Sequence, residues 1–421
     1  MKKIQAKKIR IVNEKTLMVT ADIGKVRNTG YCRCPDGTEL NPFEFSNHGL
    51  GFEKLWDFIS RIKADKDLQE VVFGFESTGP YAEPLIHYLR NKGVRVVQVN
   101  PMHTKRLKEL NGNSPSKTDQ KDPKVIADII KLGHSLTVII PEGPAAELRR
   151  LTQARERSMQ RRTAFLNQLQ DLIFIIFPEF SQVVKNVKTK SAQYLLKHYP
   201  TPQDIAGCGI KKLFRILKKI SRGKLREGCA EALYEAAKTS VGIKEGRASI
   251  LLEIKEILAQ IEACERFIAN LEREMSLYLK EIPYSSYILS LKGIGEVTAA
   301  GIIGEAGDFS KFDTASEIEK LAGLDLFEIS SGKHKGQRHI SKRGRPLLRK
   351  LLFFASINVV RKEGILHEQY QRYLQRGMLK MKAIVAISRK LLRIIYALVR
   401  NNSNYVFGYT KTQNLLSKEA A

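Results

Sequence analysis

Residues 114–123 read Ser114-Pro115-Ser116-Lys117-Thr118-Asp119-Gln120-Lys121-Asp122-Pro123 and lead into an apolar helical pattern. Asp119 and Asp122 stand three residues apart, so both would lie on one face of a helix's first turn. Two carboxylates this close repel each other unless a cation, a helix N-terminus or basic neighbours offset their charge. The pair alone indicates either a divalent-metal site or a solvated, acid-capped helix start, and the acids upstream favour the metal site.

The chain before this pair predicts an α/β domain with a mixed sheet. Alternating or continuous apolar runs predict strands at 15–23, 31–33, 40–45, 71–75 and 94–99, and helices at 51–63 and 84–91. The order is therefore three strands in a meander, then helix, strand, helix, strand and the helix that follows Asp119. This α/β domain ends near Pro141-Glu142-Gly143-Pro144.

Four acids fall at the ends of elements in this scheme. Asp22 ends the first strand, Glu76 ends the fourth, and Asp119 and Asp122 open the helix after the fifth. Sites in open α/β sheets are built at the carboxyl ends of the strands, so these acids are expected to converge. Two Mg²⁺ ions about 4 Å apart would neutralise such a cluster and polarise a phosphodiester, with Mn²⁺ as an alternative metal. For Asp22 or Glu76 taken alone, a surface acid is an equally good interpretation.

The charge of the chain predicts a polyanionic partner. The 421 residues carry a formal net charge of +27 with a pI near 9.8, which points most simply to nucleic acid held through its phosphates. The five cysteines are dispersed, as expected for reduced thiols, and Cys32-x-Cys34 is interpreted as part of a strand.

No stretch predicts insertion into a membrane. The most apolar candidate, residues 384–399, is interrupted by Arg389, Lys390 and Arg393. The basic residues 1–5 precede no apolar region, so we expect no secretory signal. A cytoplasmic, nucleoid-associated location is the expectation.

From residue 145 to about 279 the pattern changes to long helices. Apolar residues recur at alternating intervals of four and three, which indicates a heptad seam at Ile250, Ile254, Ile257, Ile261, Cys264, Ile268, Leu271, Met275 and Tyr278. An earlier helix has the same spacing but places Arg155, Ser158 and Arg162 in its seam. Either that helix pairs only at its ends, or its arginines face nucleic acid. We expect a coiled-coil hairpin that spaces two catalytic domains or joins protomers.

A basic segment of shorter helices, residues 185–246, lies between these two long helices. Its clustered cations are Lys211, Lys212, Lys218, Lys219, Arg222, Lys224 and Arg226. Either a solvated basic face or a nucleic-acid surface accounts for this cluster.

The last region combines a glycine turn with a second basic run. Gly293-Ile294-Gly295 enters a helix and could present backbone N–H groups to a phosphate, although such glycines are also common in tight connections between helices. The basic candidates for a phosphate-rich groove are Lys333, Lys335, Arg338, Lys342, Arg343, Arg345, Arg349 and Lys350.

The order of strand-Asp22, Glu76-Ser77-Thr78-Gly79 and Lys117-Thr118-Asp119-x-x-Asp122 resembles the DEDD transposases of bacterial insertion sequences called the IS-one-ten family. The later pattern of Gly-Ile-Gly, Ala322-Gly323-Leu324 and Ser331-Gly332 is similar to that family's C-terminal transposase domain. The resemblance implies a ribonuclease-H-like fold, like that of the junction resolvase RuvC, for residues 1–143. The heptad spacing predicts the helical coiled-coil region at 144–284, and the resemblance implies a serine transposase domain at 285–421.

The resemblance implies a mechanism as well. The family's metal-binding acids fall on Asp22, Glu76, Asp119 and Asp122, and its nucleophilic serine falls on Ser331, with Ser330 as the alternative. The serine would attack a DNA phosphodiester, and strand exchange would pass through a four-way junction. The family resemblance further implies a homo-oligomer, dimer or tetramer, with composite sites, and a noncoding guide RNA.

Two other functions fit the same sequence. A junction-resolving nuclease would use the acids with water as the nucleophile and would not need Ser331. A non-catalytic nucleic-acid-binding scaffold, derived from a transposase, would need neither the serine nor the acids.

Overall fold

A six-stranded mixed sheet organises the first of two units, Met1–Ile139. The computed structural model describes residues 11–76, 79–111, 121–328 and 336–407. The strands are β1 (Thr16–Ile23), β2 (Arg27–Arg33), β3 (Phe43–Ser46), β4 (Glu70–Glu76), β5 (Arg95–Val99) and β6 (Leu136–Thr137). Their order is β3-β2-β1-β4-β5-β6, in which β1, β4 and β5 are parallel and the other pairings are antiparallel. The predicted α/β fold with a mixed sheet is confirmed.

Helices connect and cover these strands. They are α1 (Gly49–Asp65), α2 (Glu83–Asn91), α3 (Pro101–Asn111) and α4 (Lys121–Lys131), with a 3₁₀ turn at Gly79–Ala82. Two elements escaped prediction. Helix α3 is polar and strongly basic, so it has little apolar periodicity, and the two-residue β6 is too short to show a pattern.

The apolar side of α4 packs on the centre of the sheet. Its residues Val125, Ile126, Ile129 and Ile130 share a core cluster with side chains from β1, β2, β4 and β5. Gly74 of β4 allows this approach, because a Cβ atom there would lie only 2.1 Å from Cδ1 of Ile130. Helix α4 is thereby held against one face of β1 and β4.

The second unit, Ile140–Ala421, is built mainly from helices. They are α5 (Pro144–Ile176), α6 (Phe180–Val183), α7 (Lys190–His198), α8 (Pro202–Cys208), α9 (Ile210–Ile220), α10 (Glu227–Lys238), α11 (Arg247–Lys280), α12 (Ser285–Leu289), α13 (Glu296–Ala306), α14 (Ala315–Leu321), α15 (Pro346–Val359), α16 (His367–Gln375) and α17 (Lys380–Arg400). A 3₁₀ turn spans Phe309–Lys311, and β7 (Leu326–Glu328) pairs with β8 (Arg338–Ile340) as an antiparallel ribbon. No helix in the described part of the chain is both long and apolar enough to cross a membrane.

Helices α5 and α11 pack side by side in opposite directions. The predicted seam of α11 is buried at Ile254, Ile257, Ile261, Ile268, Leu271 and Met275, whereas Leu279 replaces Tyr278 as the last buried position. The hydrogen bonds between the two helices join residues that increase in number along α5 and decrease along α11, which defines the antiparallel direction.

The arginines in the α5 seam face helix α11. One of the two sequence interpretations required them to face nucleic acid, and it is wrong. Arg155 lies 2.7 Å from Glu272, and Arg162 lies 2.5 Å from Glu265, both on α11. The other interpretation, pairing only at the helix ends, is also wrong, because these ion pairs and the buried Ser158 continue the contact through the middle. Glutamates on the facing helix compensate for cations in the seam.

Candidate active site

Asp22 and Glu76 lie next to each other at the carboxyl ends of two parallel strands. The register pairs Ala21 of β1 with Phe75 of β4, so the following residues, Asp22 and Glu76, are neighbours across the sheet. Side chains alternate along a strand, which places Asp22 on the same face as Thr20 and Glu76 on the same face as Gly74. This is the face that α4 covers, so the two acids point toward the side of the sheet that carries Asp122.

A hydrogen bond fixes the start of α4 near these acids. Thr20 Oγ1, buried on β1, donates to the carbonyl oxygen of Pro123 at 2.6 Å. Because Thr20 precedes Asp22 by two residues on one face of β1, the bond positions the first turn of α4 at that end of the strand. Asp122 lies in this turn, as predicted. Asp119 lies outside the described residues.

Two side chains of α3 contact two of the predicted acids. Thr104 Oγ1 donates to Glu76 Oε2 at 2.8 Å, and Lys108 Nζ lies 2.6 Å from Asp122 Oδ1. Thr104 and Lys108 are four residues apart, so they occupy one face of α3 on successive turns. The helix therefore brings Glu76 and Asp122 to neighbouring positions along a single surface. Neither α3 residue was predicted from sequence, where their signal is a four-residue spacing within a basic segment that precedes the aspartate pair.

The donor atoms at this edge of the sheet suit a hard cation. Carboxylate oxygens are the ligands that Mg²⁺ and Mn²⁺ prefer, and the side chain of Asp122 is only 13% exposed. Lys108 supplies a positive charge to the same carboxylate, and a metal ion bound to Asp122 Oδ1 would displace it. Within the described ranges, no three carboxylate, imidazole or thiolate groups stand together in a way that would hold a metal ion. The predicted Mg²⁺ site depends on Asp119 to complete it and stays a prediction.

A charge network ties α4 to β2 on the other side of the same helix. The guanidinium of Arg33, only 9% exposed, lies 2.7 Å from Asp128 and 3.0 Å from Glu39. Lys124 of α4 lies 2.5 Å from Glu39, and hydrogen bonding from Lys124 holds the pKa of Glu39 below its usual range. These contacts fix the helix that carries Asp122 against the sheet.

The predicted nucleophile belongs to the connection between β7 and β8. Residues 329–335, which include Ser330, Ser331, Lys333 and Lys335, lie outside the described residues. On either side of this connection, the register pairs Glu328 with Arg338, and their side chains form an ion pair at 2.9 Å. Arg338 remains largely exposed, with 73% of its side chain accessible.

Two backbone segments lock together at the base of this ribbon. The N–H groups of Lys342 and Arg345 donate to the carbonyl oxygens of Gly323 and Leu321, at 3.0 and 2.6 Å. A Cβ atom at Gly344 would lie 2.4 Å from both Gly323 N and Leu321 O, so only glycine fits. The segments Ala322-Gly323-Leu324 and Ser341-Lys342-Arg343-Gly344 are thus parts of one packed turn.

The basic residues of this turn fall into two groups. Lys342 and Arg343 are exposed and remain available to a phosphate backbone. Arg349 donates to the carbonyl oxygen of Ala322 at 3.0 Å, and Arg345 donates to the carbonyl oxygen of Glu305. Burial, together with the neighbouring Arg149, lowers the pKa of Arg345 to about 10. In this structure Arg345 and Arg349 use their guanidinium groups to hold the turn.

The predicted glycine turn connects α12 and α13. Gly293 has φ +104°, which favours glycine, and Gly295 is the N-cap residue of α13 with extended backbone. A Cβ atom at Gly293 would lie 3.3 Å from Val359 Cγ1, whereas nothing approaches within 4 Å of one at Gly295. The backbone conformation therefore explains the glycine at position 293. At position 295, the start of α13 has space for a side chain.

Comparison with known proteins gives matches in both units. The model for DEDD transposases of IS110 matches residues 19–178, and a model described as transposase, IS116/IS110/IS902 family, matches residues 285–371. The 44.8 kDa protein of insertion element IS116 from Streptomyces clavuligerus is 25% identical over 91% of this chain and 95% of its own length. The transposase for insertion sequence element IS1111A of Coxiella burnetii is 23% identical over 75% of this chain and 74% of its own. A probable family 20 transposase of Pseudomonas aeruginosa is 30% identical over 36% of this chain and 46% of its own.

Proposed function

Because the chain belongs to the IS110 family of insertion-sequence transposases, we propose that it cuts and rejoins DNA through a covalent link to Ser331. The observation that carries this proposal is the convergence of predicted acids at one edge of the sheet. Asp22 and Glu76 are neighbours in register, and α3 contacts both Glu76 and Asp122. In this mechanism the acids would hold the metal, and the serine of the Ser-Gly pattern would be the nucleophile.

The proposed metal ligands are Asp22, Glu76, Asp119 and Asp122, with Mg²⁺ as the metal and Mn²⁺ as a substitute. When bound, the metal would neutralise the carboxylates and polarise the scissile phosphodiester. The chain's own residues hold the site: Thr104 orients Glu76, and Lys108 balances the charge of Asp122. We also propose the ribonuclease-H-like, RuvC-like fold for the first unit, supported by the β3-β2-β1-β4-β5 order.

In the proposed chemistry, the Ser331 oxygen forms a bond to phosphorus while one phosphorus–oxygen bond to a deoxyribose breaks. The proton of the serine hydroxyl ends on the departing deoxyribose oxygen. A serine hydroxyl is a weak nucleophile, so its attack needs proton removal and cations around the developing negative charge. The exposed Arg338, Lys342 and Arg343 carry positive charge close in sequence to Ser331 and are proposed phosphate contacts.

Three further features are proposed from the family resemblance. They are a noncoding guide RNA, a homo-oligomer whose protomers share composite sites, and strand exchange through a four-way junction. The excess of 27 positive charges supports binding to a nucleic acid, and composition does not distinguish DNA from RNA. We also retain a coiled coil for α5 and α11 as a proposal that the antiparallel helix packing supports. The division at residue 284 stays a proposal and falls between the end of α11 and the start of α12.

The test is a covalent-adduct assay. The purified protein is incubated with the element's flanking RNA, a labelled donor and target DNA pair and Mg²⁺, and the products are separated on a denaturing gel. We expect a protein–DNA adduct that disappears in Ser331→Ala and persists in Ser330→Ala. An adduct lost only in Ser330→Ala would move the nucleophile by one position.

Other outcomes would replace the proposal. Metal-dependent cleavage without an adduct, retained in Ser331→Ala, would identify a water-using junction nuclease. DNA binding without any cleavage, unaffected by Asp119→Asn, would identify a non-catalytic scaffold.

A further inference from the structure

A small helical subdomain at residues 180–246 caps one end of the α5 and α11 pair. Its helices α6 to α10 share a core with the last turns of α5 and the first turns of α11, through residues such as Phe180, Leu195, Leu213, Leu233 and Ile257. The two family models match residues 19–178 and 285–371, so neither covers this subdomain. Its role is therefore not assigned by the family match.

Helix α9 is strongly amphipathic, and its two faces have different roles. Leu213 and Leu217 are buried in the shared core, and Phe214 packs partly against it. Lys218 Nζ lies 5.8 Å from the centre of the Phe214 ring, a cation–π distance. The apolar face fixes the helix to the subdomain, so the opposite face is held in a defined orientation.

The opposite face and the turn that follows it are entirely basic. Residues 210–226 contain eight lysines and arginines and no acidic residue. All eight side chains belong to exposed residues, and none forms an ion pair with another residue that the structure describes; they are Lys211, Lys212, Arg215, Lys218, Lys219, Arg222, Lys224 and Arg226. This surface is called the α9 basic face below.

Such an arrangement destabilises the isolated protein. Lys211, Arg215 and Lys219 are spaced four residues apart, so three like charges form one column along the helix, and like-charge pairs at this spacing repel. The same unit compensates cations elsewhere, since Arg155 and Arg162 on α5 each have a glutamate partner on α11. An external polyanion would supply the compensation that the α9 basic face lacks.

We propose that the α9 basic face binds the phosphate backbone of duplex DNA without reading its sequence. This inference rests on the proposed function, which makes DNA the substrate. The face offers point charges but no exposed aromatic side chain, whereas surfaces for single strands interleave aromatics that stack on bases. Helix α9 has eleven residues and is about 16 Å long, enough for its cations to reach several phosphates. A second DNA contact here would hold the duplex at the end of the long helix pair.

The test measures binding of a fluorescent duplex DNA of arbitrary sequence across a series of salt concentrations, without metal. The test variant is Lys211→Gln, Lys212→Gln and Lys219→Gln, which spares Lys218 because that residue packs on Phe214. The control variant is Lys54→Gln, Arg61→Gln and Lys63→Gln on α1, where Glu53 and Asp57 are interleaved. Both variants remove three positive charges from the chain. The corresponding Lys→Arg triple at 211, 212 and 219 keeps the charge.

We expect the test variant to bind duplex DNA about tenfold more weakly at moderate salt, and its log–log salt dependence to become shallower by about 2 to 3. The control and the Lys→Arg triple should bind like the parent protein. Equal weakening in test and control variants would overturn the proposal, because it would reflect net charge alone. Weaker binding of duplex RNA with unchanged binding of DNA would also overturn it and assign the face to RNA. The adduct assay is separate, so a parent protein that forms no adduct would reject the serine mechanism without changing this result.

Discussion

The ammonium nitrogen of Lys108 lies 2.6 Å from a carboxylate oxygen of Asp122 and balances the charge of a proposed metal ligand. A metal ion that uses this oxygen competes with the lysine. The contact therefore makes occupancy of the proposed metal site depend on a residue that is itself not a ligand.

Replacing Lys108 should strengthen metal binding. In Lys108→Met we expect Mn²⁺ to bind about fivefold more tightly, because a partly exposed ion pair of this kind contributes on the order of 1 kcal/mol. Calorimetric titration of Mn²⁺ measures the effect. Lys105→Met on the exposed side of α3 is the matched control. Unchanged or weaker Mn²⁺ binding in Lys108→Met would indicate that Asp122 is not a metal ligand.

Thr104 should orient Glu76. Thr104→Val keeps the side-chain volume but removes the donor to Glu76, so we expect a loss of about 1.5–3 kcal/mol in the free energy of unfolding. Adduct formation should slow as well, because Glu76 loses its fixed position. Thr104→Ser keeps the hydroxyl and should retain both properties. If the Ser variant were slow and the Val variant were not, packing of the methyl group would be the cause instead.

Arg162 should matter for stability and not for DNA binding. We expect Arg162→Gln to lower the free energy of unfolding by about 1 kcal/mol, because it removes the ion pair with Glu265. The salt dependence of DNA binding should stay the same. The exchange Arg162→Glu with Glu265→Arg should restore stability relative to Arg162→Glu alone. A shallower salt dependence of DNA binding in Arg162→Gln would indicate that this arginine contacts nucleic acid after all.

Gly344 should be intolerant of any side chain. We expect Gly344→Ala to cost about 2–3 kcal/mol of unfolding free energy, because its Cβ atom would meet the backbone of Leu321 and Gly323. Gly295→Ala is the control: its φ of −91° suits alanine, space is open, and the loss should stay within about 1 kcal/mol. Thermal unfolding of the two variants compares them directly, and similar midpoints would argue against the packed turn.

The contact between Glu39 and Lys124 should make stability depend on acid pH. The folded pKa of Glu39 is lowered, first by the hydrogen bond from Lys124. A carboxyl with a lowered folded pKa stabilises the protein above its unfolded pKa, and this contribution is lost as the pH falls through the folded pKa. We expect the thermal unfolding midpoint of the parent protein to fall in that pH window. The midpoint of Glu39→Gln should fall less steeply. Identical pH profiles for both proteins would exclude Glu39 as a source.

Local periodicity was enough to predict much of the fold. Strand β1 alternates apolar residues, and strands β4 and β5 are short continuous apolar runs. Helices α1 and α2 and the buried seam of α11 repeat apolar residues every three to four positions, so each segment carries its own signal. Helix α3 lacked that signal because seven of its eleven residues are polar or charged. Sequence periodicity consequently did not predict this helix, which contacts both Glu76 and Asp122.

The sequence by itself determined the α/β order of the first unit, the long helices of the second and the placement of Asp22, Glu76 and Asp122 at element ends. Only the tertiary structure decided which charges meet. Lys108 contacts Asp122, Arg162 contacts Glu265, and Arg345 turns into the protein. Periodicity reports which face of a segment is buried, because burial repeats along the chain. The partner of a single polar side chain lies instead on an element distant in sequence. A local sequence pattern therefore does not predict which residue that partner is.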